Sequence, residues 1–574
     1  MKKNQLISLS VGIILVILIL AAVKLRTIRR YRDNLPGYPD LNGMTEQLKD
    51  QIIEADRRAG FNPTAENIGR LGMVYYSGAY YDNASRCFQL AIEKDSTEWI
   101  WSYYLGCISL ELGKSNEAIA GFRHVVRKDP ENLLALYYLA EACHNIGSIS
   151  DAEKIFRKIA AAPETDPAKP DTIRENSFPV KTYGSLNLAR ICFETNRYDT
   201  AEAILKGIID RHINFGPAYR LMGNVLTAKG NIISGKKYTI RANDLVSYFP
   251  PADFLIDRIT LMSRSDVYLM KQIDDALRSL NYNWELKLFA QALKYAPDSK
   301  HLLSKVLSGY LYLGYRDKVL PHLDRHMAYF NDDLEELLVF ATLLYGNGLR
   351  DQAINYFRTA KNLNPRDSRL VLWLIDRNFM DEGILLLNEQ LAEDPGNITL
   401  ITNAVRVFSR VGDKAKAEVH LKYLENDVNS GKEIKKLKGE ILENEGRMQE
   451  ALTAYEDAIK SNPDDLFIIR HLANIYLQNQ SWEKLISHYR ISLEYLPNEP
   501  FLLEGLGKIL VFCPQTNLRN IFEGAEYAER AFINYKSSEQ IKLSAGKTLT
   551  TAIGMSGNKL KVPSYIARTL ANKR

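Results

Sequence analysis

LGMVYYSGAYYDNASRCFQLA (71–91), LGCISLELGKSNEAIAGFRHV (105–125) and LAEACHNIGSISDAEKIFRKI (139–159) are three passages of one pattern, each beginning 34 residues after the one before. Leu71, Leu105 and Leu139 coincide, as do Ala84, Ala118 and Ala152, and Phe88, Phe122 and Phe156. Within each copy apolar residues recur at i, i+3 or i+4 and i+7, so each copy encodes two amphipathic helices joined by a turn. Small residues at Gly72, Gly106, Ala84, Ala118 and Ala152 let the paired helices approach closely. Asp129-Pro130 closes one helix and opens the next, because proline lacks an amide hydrogen and disfavours helix in the residue before it. A helical pair cannot bury its apolar face alone, so a period of this kind predicts stacked repeats, an all-α solenoid.

The register returns at Leu188–Ala201, Tyr219–Ala242, Leu337–Pro365, Ala404–Leu424, Gly439–Pro463, Leu472–Pro497 and, stretched, at Leu506–Ala531. It is interrupted by residues 163–179, where Pro163, Pro167, Pro170 and Pro179 forbid helix. It is weak between 247 and 300, where only Ala292 and Pro297 fit. The spacing L-G-x2-Y, then A-x3-F-x2-A, then Pro resembles the tetratricopeptide (TPR) repeat. The resemblance spans residues 65–535 and implies about ten or eleven helix-turn-helix repeats in two arrays. The expected organisation is a membrane anchor with basic flanks (1–32), a lead-in segment and helix (33–64), an N-terminal array (65–246), a degenerate helical junction (247–299), a C-terminal array (300–535) and a basic tail (536–574).

Leu6 to Val23, LISLSVGIILVILILAAV, holds 18 residues without a charge, about 27 Å as helix and enough to cross a bilayer once. It is followed by KLRTIRRYR rather than a small-residue cleavage site, so we expect an uncleaved single-pass anchor rather than a signal peptide. LPGYPDLNGM (35–44) resembles the lead-in of bacterial membrane-anchored TPR proteins, some fused to c-type cytochromes, that stand outside the cytoplasmic membrane. That resemblance implies an extracytoplasmic solenoid, whereas the excess of Lys and Arg after the span points the other way. Without a CxxCH motif, haem binding does not carry over.

The formal charge of +5 is unevenly spread, with +7 in residues 1–32 and +7 in 536–574, which leaves −9 for residues 33–535. A body of that sign is a poor nucleic-acid surface, since such binding rests on Lys and Arg replacing phosphate counterions. Cys87, Cys107, Cys143, Cys192 and Cys513 are too dispersed for a disulfide scaffold or a zinc site and read as buried apolar residues. Gly113-Lys114-Ser115 and Gly546-Lys547-Thr548 lack the first glycine of a phosphate loop. His322 and His326, four apart with Asp324 between, lack a third placed ligand for a metal. No catalytic constellation emerges, and we expect neither enzyme activity nor a cofactor.

What remains is the concave groove of stacked repeats. In TPR proteins recurrent positions of each first helix line it, which on this register implicates Tyr76, Tyr103, Tyr137, Glu141, His144 and Asn145 as a protein- or peptide-binding wall. Tyrosine suits an interface because it carries apolar area and a polar tip. Arg470 and Asn474, near Phe467, have part of the spacing of a carboxylate-clamping TPR subclass, but Gly505 stands where a further Asn is required. The expectation is a membrane-anchored scaffold for protein partners in a membrane or envelope assembly. The competing readings are an enzyme-accessory or cofactor-handling protein with its site in 247–300, and a purely structural spacer.

Overall fold

The computed structural model describes residues 29–163, 174, 176–247, 251–425 and 431–557, with residues 22 and 26. The proposed anchor Leu6–Val23, apart from Ala22, and the basic residues 558–574 lie outside them. Among the described residues there is no strand, and no helix is long and apolar enough to cross a membrane.

Helical pairs follow the sequence register. Ala65–Ser77 packs on Tyr81–Lys94, Ile100–Glu111 on Ser115–Lys128, and Leu133–Asn145 on Ile149–Ala161. Phe88, Phe122 and Phe156 are buried with Ala84, Ala118 and Ala152, and each ring contributes about 1.5–3 kcal/mol by leaving water. The close approach is specific. A Cβ added at Gly72 would meet the Phe88 ring at 2.7 Å, and one at Gly439 would meet Tyr455 at 2.5 Å.

The turn within most pairs is marked by one residue of left-handed φ. Such residues fall at 79, 113, 147, 196, 230, 280, 314, 348, 378, 412, 446 and 480. Most steps between them are 34 residues, and the step from 348 to 378 is shorter because the helix Arg369–Ile375 has only 7 residues. Glycine takes this conformation without steric cost, whereas Ala79, Asn196, Leu280, Asn378 and Gln480 adopt it as L-residues. This register continues through the stretch expected to be degenerate, because Asp266–Arg278 and Tyr282–Tyr295 form a hairpin about Leu280. Gln272, Ile273 and Glu285 stand where the motif has Leu, Gly and Ala, which conceals that repeat in the sequence.

The chain divides into two compact units, residues 1–239 with 246–307 and residues 240–245 with 308–574. In the first, the helix Phe254–Met262 leaves the stack and packs against Ala65–Ser77. In the second, Asp244 is fully buried and held by Arg530 at 2.7 Å and by Asn498 Nδ2 at 2.6 Å. Residues 539–555, expected as part of a basic tail, form a helix packed on Pro500–Phe512 and Ile521–Ile533. Its buried Ala545, Leu549 and Ala552 lie at helical spacing among lysines, which explains why charge alone misplaced it.

Candidate protein-binding grooves

In the first unit the chain's own residues 253–263 lie against Tyr103, one of the residues expected to form a binding wall, and against its neighbours Tyr104 and Tyr138. Tyr103 is wholly buried, and its hydroxyl donates to Asp253 Oδ2 at 2.6 Å. The Tyr138 hydroxyl donates to the same oxygen at 3.3 Å, and Tyr104 donates to the Leu255 carbonyl at 3.3 Å. The other oxygen of Asp253 caps the helix Phe254–Met262, accepting the amides of Leu255 at 3.0 Å and Ile256 at 3.2 Å. Ser263 Oγ donates to the Ser77 carbonyl at 2.8 Å and Gln51 Nε2 to the Met262 carbonyl at 2.7 Å. Gln291 Nε2 reaches the Thr260 and Ser263 carbonyls at 2.9 and 2.7 Å. Arg174 pairs with Asp257. Leu255, Ile259 and Tyr268 join the same core as Tyr76 and Tyr103.

Burial sets the electrostatics. Removal from water pushes the Asp253 carboxyl above its ordinary value, against the hydrogen bond from Tyr103 that pulls it down. The same desolvation raises Tyr76, Tyr103 and Tyr138 far above the ordinary phenol.

The remaining candidates pack between repeats. Tyr137 meets the Tyr183 ring edge-on at 6.1 Å. Glu141, raised by desolvation, accepts from Asn187, and His144 Nε2 lies 2.8 Å from Glu194. Asn145 is exposed. Of the six residues, Tyr76 and Tyr103 are therefore core, three join neighbouring helices, and one faces solvent. The sequence signal for the segment lying there was the helix start at Asp253-Phe254-Leu255-Ile256, although no periodicity announces its destination.

His326 is buried, with Nδ1 3.0 Å from the Tyr356 hydroxyl, Nε2 3.2 Å from Glu336 and its ring stacked on Phe340 at 4.0 Å. The five cysteines are buried free thiols.

In the second unit the helices Leu466–Gln478 and Pro500–Phe512 leave an open pocket of ≈ 460 Å³ lined by Arg470, His471, Ala473, Asn474, Leu477, Tyr489, Phe501 and Ile541. The Arg470 guanidinium lies over the Phe501 ring at 5.1 Å and 3.8 Å from Glu499. His471 donates or accepts at 2.6 Å with Glu443 and stacks on Phe467 at 4.1 Å. Phe467 and Leu477 remain exposed at 37% and 49%. The arrangement places a cation and an amide beside uncovered apolar area.

Family models described as tetratricopeptide repeat match residues 109–168 and 437–465. The TPR repeat-containing protein MJ1428 of Methanocaldococcus jannaschii is 20% identical over 468 residues, 75% of this chain and 76% of that one. The photosystem I assembly protein Ycf3 of a Synechococcus species is 37% identical over 70 residues, 12% of this chain and 40% of its own length. Among solved structures, yeast Tom70 matches at 14% identity over 88% of this chain and 99% of its own, with a TM-score of 0.36. With the 34-residue helical pairs, their buried Ala and Phe register and the two family matches, the chain carries tetratricopeptide repeats.

Proposed function

We propose that this chain is a membrane-anchored TPR scaffold that gathers protein partners during assembly of a membrane or cell-envelope complex, with its partner-binding surface on the second unit. The observation that carries the reading is the pocket around Arg470, Asn474, Leu477 and Phe501, where exposed Leu477, half-buried Phe501 and a guanidinium adjoin. The first-unit tyrosines are, by contrast, already hydrogen-bonded to the chain's own residues. A partner segment suited to the pocket pairs a carboxylate for Arg470 with an apolar side chain for Leu477 and Phe501. The run Leu6–Val23 supplies the anchor, and the LPGYPDLNG lead-in supports placing the solenoid outside the cytoplasmic membrane.

A photo-crosslinking amino acid at Leu477 in the full chain, activated in native membranes, is expected to trap a discrete partner that the same group at exposed Glu389 does not. Arg470→Glu with Leu477→Asp is expected to cut that product at least tenfold with circular dichroism unchanged, since central anchors are worth about 2 kcal/mol or more. An unchanged product overturns the assignment of the groove. Protease added to spheroplasts tests the side of the membrane, and protection of the solenoid until the membrane is breached reverses it.

A further inference from the structure

Within the first unit a second pocket, of ≈ 320 Å³, opens between the helices Glu46–Phe61, Ala65–Ser77 and Phe254–Met262. Four arginines line it, Arg58 and Arg70 from the first two helices and Arg258 and Arg264 from the segment in the groove, against a single carboxylate, Glu54. Glu54 pairs with Arg58, and Arg70 reaches Glu66 on its own helix at 2.5 Å. Among the described residues Arg258 and Arg264 have no carboxylate partner. Arg264 makes one hydrogen bond to the Gln47 carbonyl at 3.3 Å and lies over the Tyr295 ring at 5.1 Å. The floor is apolar, formed by Ala55, Met73, Val74 and Met262.

Arg58 and Arg70 are each balanced by a carboxylate on their own helix, so Arg258 and Arg264 carry the uncompensated charge that an anion in the pocket would offset. A guanidinium is the group of choice for phosphate, which it grips with two parallel hydrogen bonds. We propose that this pocket binds a phosphate ester, with the phosphoryl oxygens held by Arg258 and Arg264 on one side and Arg58 and Arg70 on the other. Because Arg70 and Arg258 are nearly two hundred residues apart in the chain, the site is whole only while Phe254–Met262 lies in the groove, and binding therefore strengthens that packing. The phosphate ester has two available sources, an anionic lipid headgroup or a soluble compound, and both present the same chemistry to the arginines.

The test uses the full chain in neutral detergent, titrated with inorganic pyrophosphate and, separately, with dioctanoyl phosphatidate, each in low and high salt. Saturable binding that raises the melting temperature is expected for at least one probe. Arg258→Ala/Arg264→Ala is expected to weaken it about 100-fold, two charge-assisted contacts being lost. Should that variant unfold the segment, Arg70→Gln, at a half-exposed position on a different helix, is expected to weaken binding about tenfold without lowering helicity. Arg366→Ala, on an exposed side chain of the second unit, leaves it unchanged. Binding of phosphatidate alone identifies a lipid headgroup, and binding of pyrophosphate alone a soluble phosphate compound. Absence of saturable binding for both probes, equal affinity in all variants, or capture of an acidic peptide where both probes fail overturns the proposal.

Discussion

Gln480 holds φ at +53° at the turn between Leu466–Gln478 and Trp482–Tyr495, and its side chain is exposed. A left-handed L-residue costs about 1–2 kcal/mol, because its Cβ crowds the backbone. Glycine removes that cost but gives back about 0.5–1 kcal/mol through the freedom it adds to the unfolded chain. Gln480→Gly is therefore expected to stabilise the second unit by roughly 0.5–1 kcal/mol, read as a shift of the urea midpoint at constant slope. A destabilised variant would mean that Gln480 makes a compensating contact. The comparable change at Leu280 is a poorer test, since its side chain is half-buried and its carbonyl accepts from Asn176. These positions also show where legibility ends. The register is visible around 113 and 147, where Leu, then Gly or Ala, then Ala fill the motif positions, and faint around 280, where Gln272, Ile273 and Glu285 take them.

At the scale of one helix, Phe254–Met262 depends on Asp253 more than on its own nine residues. An isolated helix that short does not persist in water, so the cap and the tyrosine hydroxyls decide whether it stays in the groove. The buried carboxyl is raised, so the folded protein holds its proton more tightly than the unfolded chain does. Its contribution to stability is therefore complete below the unfolded value of about 3.9 and is lost as pH rises through the raised folded value. Amide protection across Phe254–Met262, corrected for intrinsic exchange, is expected to fall with rising pH, and Asp253→Asn is expected to flatten that dependence while keeping the cap. Asp253→Ala removes both the cap and the partner of Tyr103, and is expected to cost about 2–3 kcal/mol at low pH and less as pH rises. A flat wild-type profile would show that the carboxyl does not limit the packing. Repeat spacing picked out Tyr103 as a shared-face residue, but Tyr137, 34 residues on, packs on Tyr183 between helices instead. What covers Tyr103 was not legible, because periodicity reports spacing within a stack and Phe254–Met262 belongs to no stack.

For the chain as a whole, stability runs from repeat to repeat, each contacting its neighbours, so the last helix of an array matters more than its length suggests. Phe88, Phe122 and Phe156 made the stack readable at sight, whereas the lysines of residues 536–547 disguised the helix that ends it among the described residues. Glu539–Met555 turns Leu549 inward, 5% exposed, with Ala545 and Ala552 beside it, and covers Pro500–Phe512 and Ile521–Ile533. Without it, apolar area of those helices faces water, and the loss at Leu549 alone is about 1.5–3 kcal/mol. A chain ending at Lys536 is therefore expected to unfold its last repeat first and to associate through the uncovered face, while one ending at Gly557 shows neither change. Light scattering together with amide exchange across Pro500–Ile533 reads both effects. Leu549→Asp in the otherwise intact chain is expected to reproduce the exchange change, which separates loss of the apolar contact from loss of the residues that follow. If the chain ending at Lys536 melts and scatters like the longer one, the helix is an appendage and the array is closed by Ile521–Ile533 itself.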